Sequence, residues 1–93
     1  MLTDNLLLNA MKKKIELKAY PGVSLSVREA EVLLACAAGR TIQGTADELS
    51  VSYSTVKTHR ENIRDRFQIK GNYGIKLFAD QHRDEIKVFL DLI

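Results

Sequence analysis

Residues 41–69, TIQGTADELSVSYSTVKTHRENIRDRFQI, hold two helical patterns separated by only three residues, and that spacing restricts the fold more than any other feature of the chain. In the first pattern, Thr41 is a polar N-cap candidate and Ile42, Ala46 and Leu49 follow at helical steps of four and three. Ser50, Val51 and Ser52 interrupt it. In the second, Val56, Arg60, Ile63 and Phe67 fall four, three and four apart, so three apolar side chains and one arginine stem share a stripe. Two helices joined by so short a connection read as a helix-turn-helix.

At about 100° per residue the faces of the second helix, expected over 54–67, separate cleanly. With Val56 at the centre of the buried stripe, Ser54, Thr58, Glu61 and Asp65 point away from the core, with Lys57 and Asn62 at the shoulders. A helix of this length, roughly 20 Å, fits a DNA major groove, where Lys, Thr, Asn and Glu can address base edges. Lys57 and Arg64 on one side and His59 and Arg66 on the other would then border that surface with phosphate-binding groups. The candidate DNA-binding residues are therefore Ser54, Thr55, Lys57, Thr58, His59, Glu61, Asn62, Arg64 and Arg66.

The segment 25–79 resembles the LuxR-type (GerE-like) DNA-binding domain of bacterial transcription regulators. The resemblance rests on Leu25-Ser26, Arg28-Glu29, Glu31-Val32-Leu33, the Ala38-Gly39 stop, 46–49, and the run 52–59 ending Thr-Val-Lys-Thr-His. It implies a four-helix domain that binds duplex DNA as a dimer, with the helix that holds Lys57 in the major groove and the next helix often at the dimer contact. Three positions depart from the family pattern. Val27 stands where proline is frequent, Gly44 where glutamate is usual, and Thr45 where an apolar branched residue is usual. Glycine costs about 1 kcal/mol in a helix interior and threonine is the poorer core residue, so both changes weaken the first helix of the motif.

Ninety-three residues make one small domain, 45% hydrophobic and 28% charged. The net charge of +2 identifies no partner, but its distribution is informative: 55–76 carries +4 and the remainder −2, so positive charge gathers on the candidate reading helix and the segment just after it.

In chain order, 3–19 places Leu7, Met11 and Ile15 at steps of four, with Leu8 alongside and Lys12, Lys13, Lys14 and Lys18 elsewhere, and reads as an amphipathic helix packed onto the domain, with a dimer contact as the rival reading and the lysines able to add phosphate contacts. Its apolar run precedes the lysines and no small-residue cleavage site comes after them, so it is not a secretory signal. No segment approaches the roughly 20 apolar residues of a membrane span. Tyr20, Pro21 and Gly22 end this helix and lead into a linker. Ser26 and Glu29 form a capping-box pattern that starts a helix at Val27, with Val32, Leu33, Cys36 and Ala37 on its core side and Gly39 as its stop. Cys36, the only cysteine, excludes an internal disulfide and reads as a buried, inert thiol suited to a reducing cytoplasm. After Ile69, Asn72 is a candidate N-cap for a helix carrying Ile75, Leu77, Phe78 and His82. A last pattern, Ile86, Phe89, Leu90 and Ile93, fits either a cover for the domain or a contact with a second copy.

The expected organisation is an all-α chain: an N-terminal helix and linker over 1–22, a four-helix helix-turn-helix domain over 23–80, and a C-terminal helical extension over 81–93. Catalysis has no support. His59 and His82 lack neighbours at metal-ligand spacing, the five glycines are scattered, and the paired carboxylates fall where helices are solvated. No metal, cofactor or small-molecule site is expected. The expected function is regulation of transcription by a cytoplasmic, nucleoid-associated homodimer on double-stranded DNA; the alternative is an interaction module that binds and inhibits another regulator.

Overall fold

The computed structural model describes residues 13–93. Two short strands, β1 (Lys14–Glu16) and β2 (Ser24–Ser26), precede four helices: α1 (Val27–Ala37), α2 (Ile42–Leu49), α3 (Tyr53–Phe67) and α4 (Gly71–Leu92). The helix-turn-helix architecture read from the sequence is present, accompanied by a two-stranded sheet that an all-α reading did not contain.

That sheet corrects the helix expected over 3–19: its last part is strand and turn, while 3–12 lie outside the described residues. The strands are antiparallel, with Lys14 opposite Ser26, Ile15 opposite Leu25 and Glu16 opposite Ser24. Alternation explains the pairing. Ile15, Leu17 and Leu25 are all buried, whereas Lys14 and Ser26 face solvent, the period-two pattern of a half-buried strand. The connection tightens at Tyr20-Pro21-Gly22-Val23, where Val23 N–H donates to Tyr20 O at 3.2 Å. Proline at the second position and glycine with φ +84° at the third are what a type II turn demands.

The helix ends are set by local chemistry. Glu29 N–H donates to Ser26 Oγ at 3.1 Å and Ser26 N–H to Glu29 Oε1 at 2.9 Å, so the expected capping box opens α1. Gly39, at φ +81°, closes it. Thr41 Oγ1 caps α2 by accepting from Gly44 N–H at 2.9 Å, and Ser52 Oγ caps α3 by accepting from Thr55 N–H at 3.1 Å. The atypical Thr45 is buried, and its hydroxyl donates to Thr41 O at 2.8 Å, which satisfies the polar group that an apolar residue would not have brought.

The core is one cluster. Ala30, Val32, Leu33 and Cys36 of α1, Ala46 of α2, Val56, Ile63 and Phe67 of α3, and Ile75, Phe78, Ile86 and Phe89 of α4 close on the sheet's Ile15 and Leu25. Of the core side expected for α1, Ala37 is only half-buried, while Ala30 and Ala35 are buried.

α4 differs from expectation in two respects. It begins at Gly71 with Lys70 at the cap position and no side-chain cap, so Asn72 is not its N-cap. It also runs unbroken through 81–92, because nothing after Gly74 is glycine or proline and the helix has no reason to stop. The expected division after residue 80 falls inside this helix. Of the last apolar pattern, Ile86 and Phe89 are buried within the same chain and cover the domain, Leu90 is half-buried and Ile93 is exposed.

Candidate nucleic-acid interface

α3 stands on the core through Val56, Ile63 and Phe67, at 0%, 0% and 7% exposure, which leaves its opposite face to solvent. Arg60, on the same stripe, is half-buried and donates from Nη2 to Cys36 Sγ at 3.3 Å. Its Nε is shielded from solvent and finds no acceptor among the described residues. Of the residues singled out from the sequence, Ser54, Thr55, Lys57, Thr58, Glu61 and Asn62 are exposed, and His59 and Arg64 are half-buried on the flanks.

These side chains are not equally free. Ser54 and Thr55 direct their hydroxyls at the capping Ser52 Oγ, at 3.1 and 2.8 Å. Among the described residues Lys57, Thr58, Glu61 and Asn62 have no ion pair or side-chain hydrogen bond, so their polar ends are available to a ligand. Arg64 donates from Nη1 to Asn72 Oδ1 at 3.2 Å, which links the end of α3 to the first turn of α4.

Arg66 is held in the fold. Its Nη1 lies 2.7 Å and its Nη2 3.1 Å from the two carboxylate oxygens of Glu29, and Nη1 also donates to Ser24 O at 2.9 Å. Burial pushes the Glu29 carboxyl up, but Arg66's hydrogen bonds and charge, together with Ser26's backbone and side-chain contacts, hold it below the ordinary value. A guanidinium so committed positions the end of α3 against the start of α1. Its part in the candidate surface is correspondingly smaller than its sequence position suggested.

Tyr53 is the residue that sequence reasoning missed. It begins α3 one position ahead of the expected start and is 50% exposed, one helical turn before Lys57. The signal was Ser52, whose hydroxyl makes it an N-cap and Tyr53 the first helical residue. The whole surface is therefore a helix face of small hydroxyls, one amide and the two carboxylates Glu61 and Asp65, with Tyr53 and cations on the flanks. Such a face presents donors and acceptors to a grooved, anionic partner and offers no converging nucleophile, acid or base.

Comparison with known proteins identifies the family. Residues 23–79 match the family model of bacterial regulatory proteins, luxR family. The response regulator protein VraR of Staphylococcus aureus (strain Mu3 / ATCC 700698) is 35% identical over 74 residues, which is 80% of this chain and 34% of that protein. VraR of Staphylococcus epidermidis (strain ATCC 35984) gives the same figures. The chain thus spans about a third of the length of these relatives. No solved structure matches it significantly. With most of its length inside that family model and its helix-turn-helix in place, the chain belongs to the luxR family of bacterial regulatory proteins, a family of DNA-binding transcription regulators.

Proposed function

We propose that this protein regulates transcription by binding specific double-stranded DNA, with α3 in the major groove and a second copy completing a homodimer. The observation that carries the reading is the exposed set Lys57, Thr58, Glu61 and Asn62, unpaired among the described residues, on a helix whose opposite face packs on the core. Lys57 addresses acceptors on base edges, Thr58 and Asn62 hydrogen-bond to bases, and Glu61 accepts from cytosine N4. Thr55, His59 and Arg64 meet sugar and phosphate on the two sides, and Ser54 does so at the N-terminal end of the outward face. For the dimer, support comes from α4, where Tyr73, Leu77, Val88 and Leu92 are 75%, 48%, 52% and 38% exposed and fall within roughly a 100° arc opposite the buried Ile75, Ile86 and Phe89. Such a protein acts in the cytoplasm, at the nucleoid.

The test is the salt dependence of binding to a promoter fragment by the intact chain. Affinity should fall log-linearly with salt concentration, in proportion to the phosphates neutralised, and Lys57→Ala should reduce specific more than non-specific affinity. Undetectable binding at low salt would transfer the surface to the alternative role, inhibition of another regulator through protein contact.

A further inference from the structure

The hairpin brings a second cationic element to the reading helix. We propose that Lys13 and Lys14 grip the phosphodiester backbone of the duplex beyond the C-terminal end of α3, so that the DNA contact extends from the helix-turn-helix onto β1. This rests on the reading that α3 lies in the major groove.

Three observations converge. First, Lys13, Lys14, Ser24, Ser26 and Arg66 line an open groove of about 720 Å³ that the hairpin shares with the end of α3. Its one lining carboxylate, Glu29, is 6% exposed and already doubly bonded to Arg66, and Glu16, on the same strand face as Lys14, forms no ion pair with either lysine. Neither lysine has an ion-pair partner among the described residues.

Second, at 100° per residue Thr55, His59, Asn62 and Arg66 share an arc of about 60° on one flank of α3. That flank leads from the start of the helix to the groove, over roughly 16 Å at 1.5 Å per residue. A DNA backbone that borders the major groove along it continues towards Lys13 and Lys14.

Third, the hairpin is a rigid mount. Ile15, Leu17 and Leu25 are at most 1% exposed, Tyr20 packs its ring 5.1 Å from Phe67 and 5.6 Å from Phe78, and Arg66 Nη1 ties down Ser24 O. Lys14, carried on this strand, loses less freedom on binding than a lysine on a loose arm, and Lys13 stands immediately before it. The lining sets the cations Lys13, Lys14 and Arg66 and the hydroxyls of Ser24 and Ser26 beside Val23 and Leu25, and its surplus of positive charge suits a repeating phosphate.

The test uses the intact chain and a mapped operator duplex, with a scrambled duplex of equal length, titrated by fluorescence anisotropy over a series of salt concentrations. Lys13→Ala with Lys14→Ala should weaken both duplexes alike by on the order of tenfold at moderate salt and make the salt slope shallower by about two, with the specificity ratio unchanged. Lys87→Ala, a cation on the far helix, should do neither, and Lys13→Arg with Lys14→Arg should restore the slope. Both lysines are exposed, so helical signal and melting temperature should be unaltered. An unchanged slope while Lys57→Ala still weakens operator binding would overturn the hairpin contact and leave the groove assignment standing. Loss of binding to an acidic polypeptide without loss of DNA binding would overturn it in favour of a protein partner. No binding of the unaltered chain to any duplex at low salt would overturn both.

Discussion

Glu61 shows how much depends on what a single side chain can reach. Helical spacing allows it to pair with Lys57 or Arg64, yet among the described residues no cation lies within ion-pairing distance, and Arg64 turns instead to Asn72. An unpaired carboxylate facing DNA repels phosphate everywhere except where a donor such as cytosine N4 meets it. Glu61→Gln should therefore raise affinity for non-operator DNA while affinity for the operator holds or falls, a narrowing that competition binding at fixed salt will read. Equal gains on both would reduce Glu61 to general repulsion. Arg64→Ala, by contrast, should weaken all sequences alike and lower the salt slope by about one. Arg66 bears on stability instead, because its guanidinium is the partner of the buried Glu29 carboxylate, although its own side chain stays 37% exposed. Arg66→Ala leaves a nearly buried carboxylate without its cation and should cost about 2 kcal/mol in urea unfolding, less than a fully buried pair would because solvent screens the guanidinium. The sign with pH is fixed by the lowered Glu29 carboxyl. Its contribution is fully present above the ordinary value of 4.5 and is lost as pH falls through the lower folded value, so thermal melts below that pH should decline less in Glu29→Gln than in the parent.

Among the elements, those whose pattern is local were legible in the sequence. The capping box of Ser26 and Glu29 and the Val56, Ile63, Phe67 stripe are each contained within one helix, and each predicted its element to within a residue or so. The hairpin was not legible because Ile15 satisfies two periods at once. It continues the steps of four from Leu7 and Met11, and it also alternates with Leu17 as a strand residue, a conflict that only burial against Leu25 resolves. The candidate site divides along the same line. Which side chains of α3 face outward is set by the stripe, whereas the capture of Arg66 by a carboxylate 37 residues away depends on how α1 and α3 are packed, which spacing along either helix does not contain. Tyr20 expresses the same long-range dependence. Read as part of a helix stop, it instead sits among Phe67, Phe78 and His82, at centroid distances of 5.1, 5.6 and 5.7 Å. Tyr20→Ala should cost about 2 kcal/mol, below the 3–5 kcal/mol of a fully buried aromatic since the ring is only half-buried, and denaturant unfolding will measure it.

For the molecule as a whole, α4 has two opposite faces. Its inner face, with Ile86 and Phe89, closes the core along α1, so cutting the chain before Phe89 would open the domain and say nothing about assembly. The outer stripe is separable. Leu77→Lys with Val88→Lys should abolish a dimer seen by sedimentation while leaving the helical signal intact, and a dimer that survives would place the contact elsewhere. Dimeric binding further requires half-sites whose centres lie about 10 base pairs, or a multiple, apart on one face of the duplex. The most direct measurement is anisotropy of a labelled operator titrated with the intact chain and with Lys57→Ala, each over a range of salt and against scrambled DNA. Groove reading by α3 predicts log-linear salt dependence for both proteins and a specificity ratio that collapses in Lys57→Ala while its fold is unchanged; equal specificity in the two proteins, or no binding at low salt, would contradict it.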